Sequence, residues 1–526
     1  MRQEHAARTL NELADFWAEK RPDHIAYRFE GRESSFAEVR DESERLARGL
    51  AAAGVGAGAR IAWIGKNSDR YFVLLFAAAR AGATVVPVGW RLARAEMAHI
   101  LSDAEAVAIV ATPDFIDCAT QLAEGNPAIE HLWSSEDGGA RTSIGELAKQ
   151  ADQSLDLSLP RPDNALVQLY TSGTTGRPKG VVLTQSNFLA PRGGADGEIV
   201  PWDVWREGDS GLDPMPVAHI AGTGYGLVPF NRGSACSVTA EFMPEEILDL
   251  IDRRQVTRFF LVPAALQMLI THPKAAVTDM SHVNQVGYGA SPMPLQLLRD
   301  CMKAFPNAGF VQSYGMTETC GAVVILDPED HDPAGNSRMR SAGRALPGVE
   351  CKIVDADGNE LPAGEVGEVI TRSPANMAYY WNQPEKTAET VDKDGWLRTG
   401  DAAYMDEDGY IFIHDRIKDM IISGGENVYP AEVENALYEH PAVSEAAVIG
   451  VPDETWGEAV KAIVVPKPGA EIAEREIIAF VRERIAGFKT PKSIDIIAAM
   501  PRNASGKILR KDLRAPYWAG KERRVN

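Results

Sequence analysis

The sequence predicts an α/β fold in three parts: a large N-terminal domain of layered, largely parallel sheets, a small β subdomain at its end, and a small α+β C-terminal domain. Three observations carry that prediction. Short apolar runs alternate with amphipathic stretches of helical period up to about residue 325, a rhythm that builds parallel sheets with helices on their faces. Beyond about residue 340 the helical stretches give way to short strands joined by Gly/Asp/Pro turns. From Lys418 onward a separate unit with its own helices and strands begins, which sets the domains at 1–417 and 418–526. A chain of 526 residues also exceeds what one hydrophobic core organises.

In order, residues 9–20 read as a helix capped by Thr9 and stopped before Pro22, and Ile25 to Phe29 alternate like a strand. Phe36, Val39, Leu46 and Leu50 mark one face of a helix closed by Gly54 and Gly56. Then follow a strand at Arg60 to Ile64, a helix over 69–81, a strand at Ala83 to Val88, a helix over 92–103 and a strand at Ala106 to Ala111. Ala165 to Leu169, Val181 to Leu183, Arg258 to Val262, Gln285 to Gly289 and Gly309 to Gln312 are further strand candidates. The β subdomain is expected from Gly348 to Val354, Gly367 to Thr371 and Tyr410 to His414. The last unit offers a helix from Pro430 to Tyr438, strands at Ala446 to Ile449 and Ala459 to Val465, and a helix from Ala473 to Ile485.

Composition narrows the function classes. A net charge of −20 argues against general nucleic-acid affinity, and any polyphosphate site in so acidic a chain must concentrate cations locally. Cys118, Cys236, Cys301, Cys320 and Cys351 are scattered, odd in number and without metal-ligand spacing, the pattern of reduced thiols in a cytoplasmic protein. The N-terminus lacks the apolar segment of a signal peptide, and the most apolar stretch, Phe72 to Ala79, is too short to span a bilayer. A homodimer is compatible with the sequence.

The stretch from Tyr170 to Val181, YTSGTTGRPKGV, is the chemical centre. Between two apolar strands it sets three glycines, four hydroxyls and two cations, with no acid: glycines let backbone N–H groups approach an anion, hydroxyls add donors, and Lys179 supplies charge. It differs from the Walker loop, which needs Gly-Lys followed by Ser or Thr. Alone it could be an ordinary polar hairpin; company decides. Gln312 to Thr319 (QSYGMTET) places an aromatic, a hydroxyl and an acid together, and Gly395 to Asp401 (GWLRTGD) sets an Asp after a tight turn. Asp415 to Asp419 (DRIKD) and Ser423 to Val428 (SGGENV) form a charged joint and a second glycine loop, while Pro501 to Ile508 (PRNASGKI) presents a lone Lys on a turn.

With these motifs, over roughly residues 9–515, the chain resembles the adenylate-forming superfamily of acyl-CoA synthetases, luciferases and adenylation domains, most of all bacterial fatty-acyl-CoA ligases. The resemblance implies an ATP-dependent acid–thiol ligase: a carboxylic acid and ATP give acyl-AMP and pyrophosphate, then coenzyme A takes the acyl group and AMP leaves. It also implies roles. Thr171, Ser172, Gly173, Thr174, Thr175 and Lys179 would hold the phosphates; Tyr314 would stack on adenine, with Gly289, Ala290 and Ser291 along its edge; Asp401 and Arg416 would bind the ribose. Glu318 would hold Mg²⁺, Thr317 would touch the α-phosphate, and Lys507 would reach in during adenylation. His219 stands where a gate over the acyl tunnel is expected. Gly425, Trp456, Lys489 and Lys492 stand where coenzyme A is expected, and Lys418 where the small domain would rotate.

This reaction needs no general base in its first half, because a carboxylic acid with a pKa of about 4 is already ionised at neutral pH. The obstacle is repulsion between two anions, which cations and a metal ion offset. Pro216 to Gly226 contains no acid to bind an α-amine, which disfavours amino-acid substrates, and its small residues Ala221, Gly222, Thr223 and Gly224 leave room. An apolar tunnel for a medium- or long-chain fatty acid is the expectation. An aromatic or alicyclic acid, or delivery to a carrier protein instead of coenzyme A, are the alternatives.

Overall fold

Two large sheets carry most of the chain in the computed structural model, which describes residues 6–152, 155, 157, 160–171, 178–190, 200–470, 472–502 and 508–519. The first has nine strands among the described residues, in the spatial order Arg344–Ala345, Gly321–Leu326, Gly309–Met316, Gln285–Gly289, Arg258–Leu261, Ser210–Asp213, Ala235–Val238, Ile25–Phe29 and Arg32–Ser35. Its centre is parallel throughout. The second has seven: Tyr379–Tyr380, Lys179–Thr184, Ala165–Thr171, Thr84–Val88, Arg60–Ile64, Ala108–Ala111 and His131–Ser134. Here too the inner strands are parallel, and the hairpin that carries the phosphate-loop motif is antiparallel.

The apolar stretch that the sequence marked out lies between these sheets. Helix Asp69–Ala81 is buried on nearly every face and shares one core with both sheets, as a helix apolar all round must. Tyr27 and Phe72 stack at 4.8 Å in that core. Helix Ile220–Asn231 approaches so closely that a Cβ on Gly226 would lie 2.1 Å from Phe72 Cζ. Only glycine fits there. The N-terminal helix Leu10–Lys20 starts at Thr9 with reciprocal side-chain caps between Thr9 and Glu12, as its sequence requires.

Strands Glu350–Val354, Gly367–Arg372, Leu397–Met405 and Ile411–Arg416 form an antiparallel four-stranded sheet, the expected β subdomain. Beyond it a C-terminal sheet pairs Glu426–Val428, Ile421–Ser423, Gly457–Pro466 and Val443–Asp453, with Ser493–Ile496 alongside Gly457–Pro466. Helices Pro430–Tyr438 and Glu474–Arg482 share its core. The α/β class and its large and small parts are as the sequence implies. All five cysteines are free thiols, and no described helix is long and apolar enough to cross a membrane.

Candidate active site

Parallel strands gather their following loops at one edge, and the motif segments meet there. Strands Gln285–Gly289 and Gly309–Met316 run side by side with Gly289 opposite Ser313. A Cβ on Gly289 would lie 2.0 Å from Ser313 O, and one on Gly315 would lie 2.0 Å from Gly321 O, so both glycines are fixed by close backbone approach. Ala290 turns away with φ 63°, a conformation that non-glycine residues seldom adopt. Ser291 follows at the same edge.

Tyr314 leaves this strand with a half-buried ring and an enclosed hydroxyl, which donates to Asp401 Oδ2 at 2.6 Å. Burial, then the Asp401 charge, holds the phenol well above its ordinary pKa. Asp401 Oδ1 is held by Arg416 Nε at 2.8 Å, across the strand pair that sets these two residues opposite each other. Burial pulls the Arg416 guanidinium down in pKa, and the surrounding negative charge, Asp401 first, outweighs it. Arg416 Nη1 also donates to Thr399 O at 3.1 Å.

A second cluster faces the hairpin. Thr171 and Lys179 sit opposite each other where the phosphate loop leaves and rejoins it. Lys179 Nζ lies 5.1 Å from the centre of the Tyr380 ring, and Tyr380 OH donates to Glu318 Oε1 at 2.8 Å. Glu318 is 6% exposed and follows Thr317 in a short 3₁₀ turn. The segment Met377–Trp381 binds the cluster to both sheets. Met377 N donates to Glu318 O at 2.7 Å, Ala378 N to Val182 O at 3.0 Å and Trp381 N to Gly180 O at 2.7 Å. Tyr380 was not singled out by its sequence; its only signal is the aromatic run Tyr379-Tyr380-Trp381.

Other expected residues fall elsewhere. Ser172, Gly173, Thr174, Thr175 and Lys507 lie outside the described residues, as does the side chain of Lys418, whose backbone is in the 3₁₀ turn Ile417–Asp419. His219 stands at the N-cap of helix Ile220–Asn231; its Nε2 is enclosed without a hydrogen-bond partner among the described residues, and burial pulls its pKa down to about 4. On the C-terminal unit, Trp456 is 48% exposed and packs on Gly424, next to Gly425, with Lys492 Nζ 5.7 Å from its ring. Lys489 Nζ makes two 2.8 Å bonds to Glu432 and lies 5.5 Å from the centre of the Phe488 ring.

A cavity of about 270 Å³ adjoins the edge where Gly289 and Tyr314 lie. Ala290, Gly315 and Met316 line it at that edge, and Ala221, Gly224 and Val228 line it along helix Ile220–Asn231. His219 is not among its described lining residues.

Two mostly parallel sheets, a β subdomain and a C-terminal sheet are the architecture of the adenylate-forming enzymes. The chain belongs to the AMP-binding enzyme family, whose model matches residues 14–381, and the model of the AMP-binding enzyme C-terminal domain matches residues 432–507. It is 41% identical to a fatty acid–[acyl-carrier-protein] ligase of Streptomyces coeruleorubidus, over 98% of each chain. It is 38% identical to a feruloyl-CoA synthase of an Amycolatopsis species, over 94% of this chain and 96% of that one. Its structure matches ATP-bound MatB from Rhodopseudomonas palustris with a TM-score of 0.85 and 31% identity, over 97% and 99% of the two chains. Members of this family are AMP-forming ligases, and the recognition and enzyme class expected from the motifs stand.

Proposed function

We propose that this protein is an ATP-dependent acyl-CoA ligase that activates a medium-chain or single-ring carboxylic acid as its acyl-AMP and passes the acyl group to coenzyme A. One observation carries the reading: Ala290, Gly315 and Met316 belong to the nucleotide motifs and also line the apolar cavity. An acid lying in that cavity therefore presents its carboxylate where the α-phosphate would be. At about 270 Å³ the cavity is at the small end of the ~300–1,000 Å³ usual for ligand pockets, which favours acids of modest size over very long chains.

In this reading Tyr314 stacks on adenine while Asp401, anchored by Arg416, keeps spare lone pairs for the ribose hydroxyls. Thr171 and Lys179 hold the phosphates from the hairpin. Among the described residues no cluster of three or more His, Cys, Asp or Glu could hold a metal alone. A single carboxylate, Glu318, with Oε1 taken by Tyr380, suits Mg²⁺, which binds through one or two carboxylates, water and substrate phosphates. When bound, that ion would neutralise charge on the phosphate oxygens. Lys507 adds the second cation for adenylation. Residues 1–417 and 418–526 act as separate units that turn about Lys418, which brings the Gly425–Trp456 face to the site for thiol attack.

Pyrophosphate release with a panel of carboxylic acids, followed by thioester formation with coenzyme A, tests the reading. Release that never depends on added acid would overturn it. A second reading, transfer to a phosphopantetheinyl carrier protein, is favoured by the 41% identical relative. Thioester formed with a carrier protein but not with free coenzyme A would select it.

A further inference from the structure

The cavity is not apolar throughout. It runs between helix Ile220–Asn231 and the sheet face made by strands Gln285–Gly289 and Gly309–Met316. Lining residues occur along the whole helix and along both strands, from Gln285 to Ala290 and from Val311 to Met316. Helix and strand give the same length, roughly 17 Å, from 1.5 Å per helical residue and 3.3 Å per strand residue. The carboxylate end lies at the strands' C-terminal edge. At the opposite end, where Gln285 begins its strand, the cavity is lined by Asp203 and by Arg232, the residue that caps the helix C-terminus.

Arg232 Nη2 is ion-paired with Asp203 Oδ2. Its Nε and Nη1 are enclosed and have no hydrogen-bond partner among the described residues. A charged pair in the wall is a costly neighbour for the methyl end of an alkyl chain, which offers it neither donor nor acceptor and keeps water from it. The same end is well suited to an oxygen, since Arg232 donates and Asp203 accepts.

On the acyl-ligase reading above, we propose that the cavity takes a carboxylic acid bearing a hydroxyl, keto or ether oxygen at the end remote from its carboxylate, and that the Asp203–Arg232 pair selects for it. The pair touches no nucleotide motif, so it sets which acid binds and leaves ATP binding alone.

Matched acids test this: octanoate against 8-hydroxyoctanoate, and cinnamate against 4-hydroxycinnamate. The chain is expected to prefer the oxygenated member of at least one pair by tenfold or more in kcat/KM for pyrophosphate release, because a site built to bond a substrate oxygen rejects the analogue lacking it. Arg232→Met should abolish or reverse that preference with the KM for ATP unchanged. Arg232→Met combined with Asp203→Leu removes both charges and serves if the single variant fails to fold. Equal rates within both pairs, or a preference that survives these substitutions, would overturn the proposal. If no acid supports pyrophosphate release, the ligase reading fails separately. Calorimetric binding of the same pairs in the presence of AMP then decides: tighter binding of an oxygenated acid upholds the polar end, and equal or absent binding rejects it.

Discussion

Tyr314 and Arg416 grip opposite oxygens of one carboxylate, Tyr314 OH on Asp401 Oδ2 at 2.6 Å and Arg416 Nε on Asp401 Oδ1 at 2.8 Å. The carboxylate proposed to bind the ribose is thereby held from both sides. Asp401→Ala should raise the KM for ATP by roughly 10- to 100-fold, the ~1.5–3 kcal/mol of a charge-assisted hydrogen bond. Tyr314→Phe keeps the ring and the Arg416 pair and should cost less than tenfold. Steady-state kinetics at saturating acid checks both, and a larger loss from Tyr314→Phe would remove Asp401 from the ribose.

Tyr380 positions Glu318. Tyr380→Phe should raise the Mg²⁺ concentration for half-maximal pyrophosphate release roughly 10- to 100-fold, for loss of ~1.5–3 kcal/mol from one hydrogen bond to a charged group. The KM for ATP at saturating Mg²⁺ should hardly move. Direct titration with Mn²⁺ in the presence of ATP, followed by electron paramagnetic resonance, reads the same affinity without turnover. An unchanged metal affinity would make Tyr380 merely a packing residue.

Lys507→Ala should abolish acyl-AMP formation and spare transfer from supplied acyl-AMP to coenzyme A. One preorganised charge contact of this kind is worth ~2.7–4 kcal/mol, about a hundred- to a thousandfold. Equal damage to both half-reactions would deny Lys507 its adenylating role.

Lys418→Pro separates moving from binding, because proline fixes φ near −65° and removes an N–H. Acyl-AMP formation should persist while transfer to coenzyme A falls. A variant that keeps both half-reactions places the hinge elsewhere.

Asp213 gives a pH signature. It is fully buried, neither oxygen accepts a well-formed hydrogen bond, and burial raises its carboxyl pKa well above the usual range. A raised folded pKa contributes stability that is complete below the unfolded value near 4 and is lost as pH rises toward the folded one. Asp213→Asn removes that loss. The thermal stability of Asp213→Asn relative to the parent should therefore improve between pH 4 and 8, by at most ~1.4 kcal/mol per pH unit. A difference independent of pH would mean that Asp213 does not change protonation on unfolding.

The motif segments were legible because glycine, hydroxyl and charge in fixed order need no three-dimensional context. Helix ends were legible for a similar reason, as with Thr9 and Glu12, where the cap is local. Contacts made by distant pairing were not. Tyr380 reaches Glu318 only because its strand pairs beside Val181, far away in sequence, and no periodicity announces that. Strand Ser210–Asp213 went unread because its Gly and Asp resemble a turn, although all four residues are buried. The ion pair of Lys489 with Glu432 joins residues 57 positions apart, which no local pattern announces. The Asp203–Arg232 pair likewise joins two segments that are unremarkable one at a time.

The five residues from Met377 to Trp381 act on the two large sheets as a rivet acts on two plates. Their amides hold Glu318 on one plate and Gly180 and Val182 on the other, so the Glu318 turn and the hairpin share one frame. Severing the chain within these residues would leave every motif intact yet leave the shared core to hold the two plates with three fewer cross-ties.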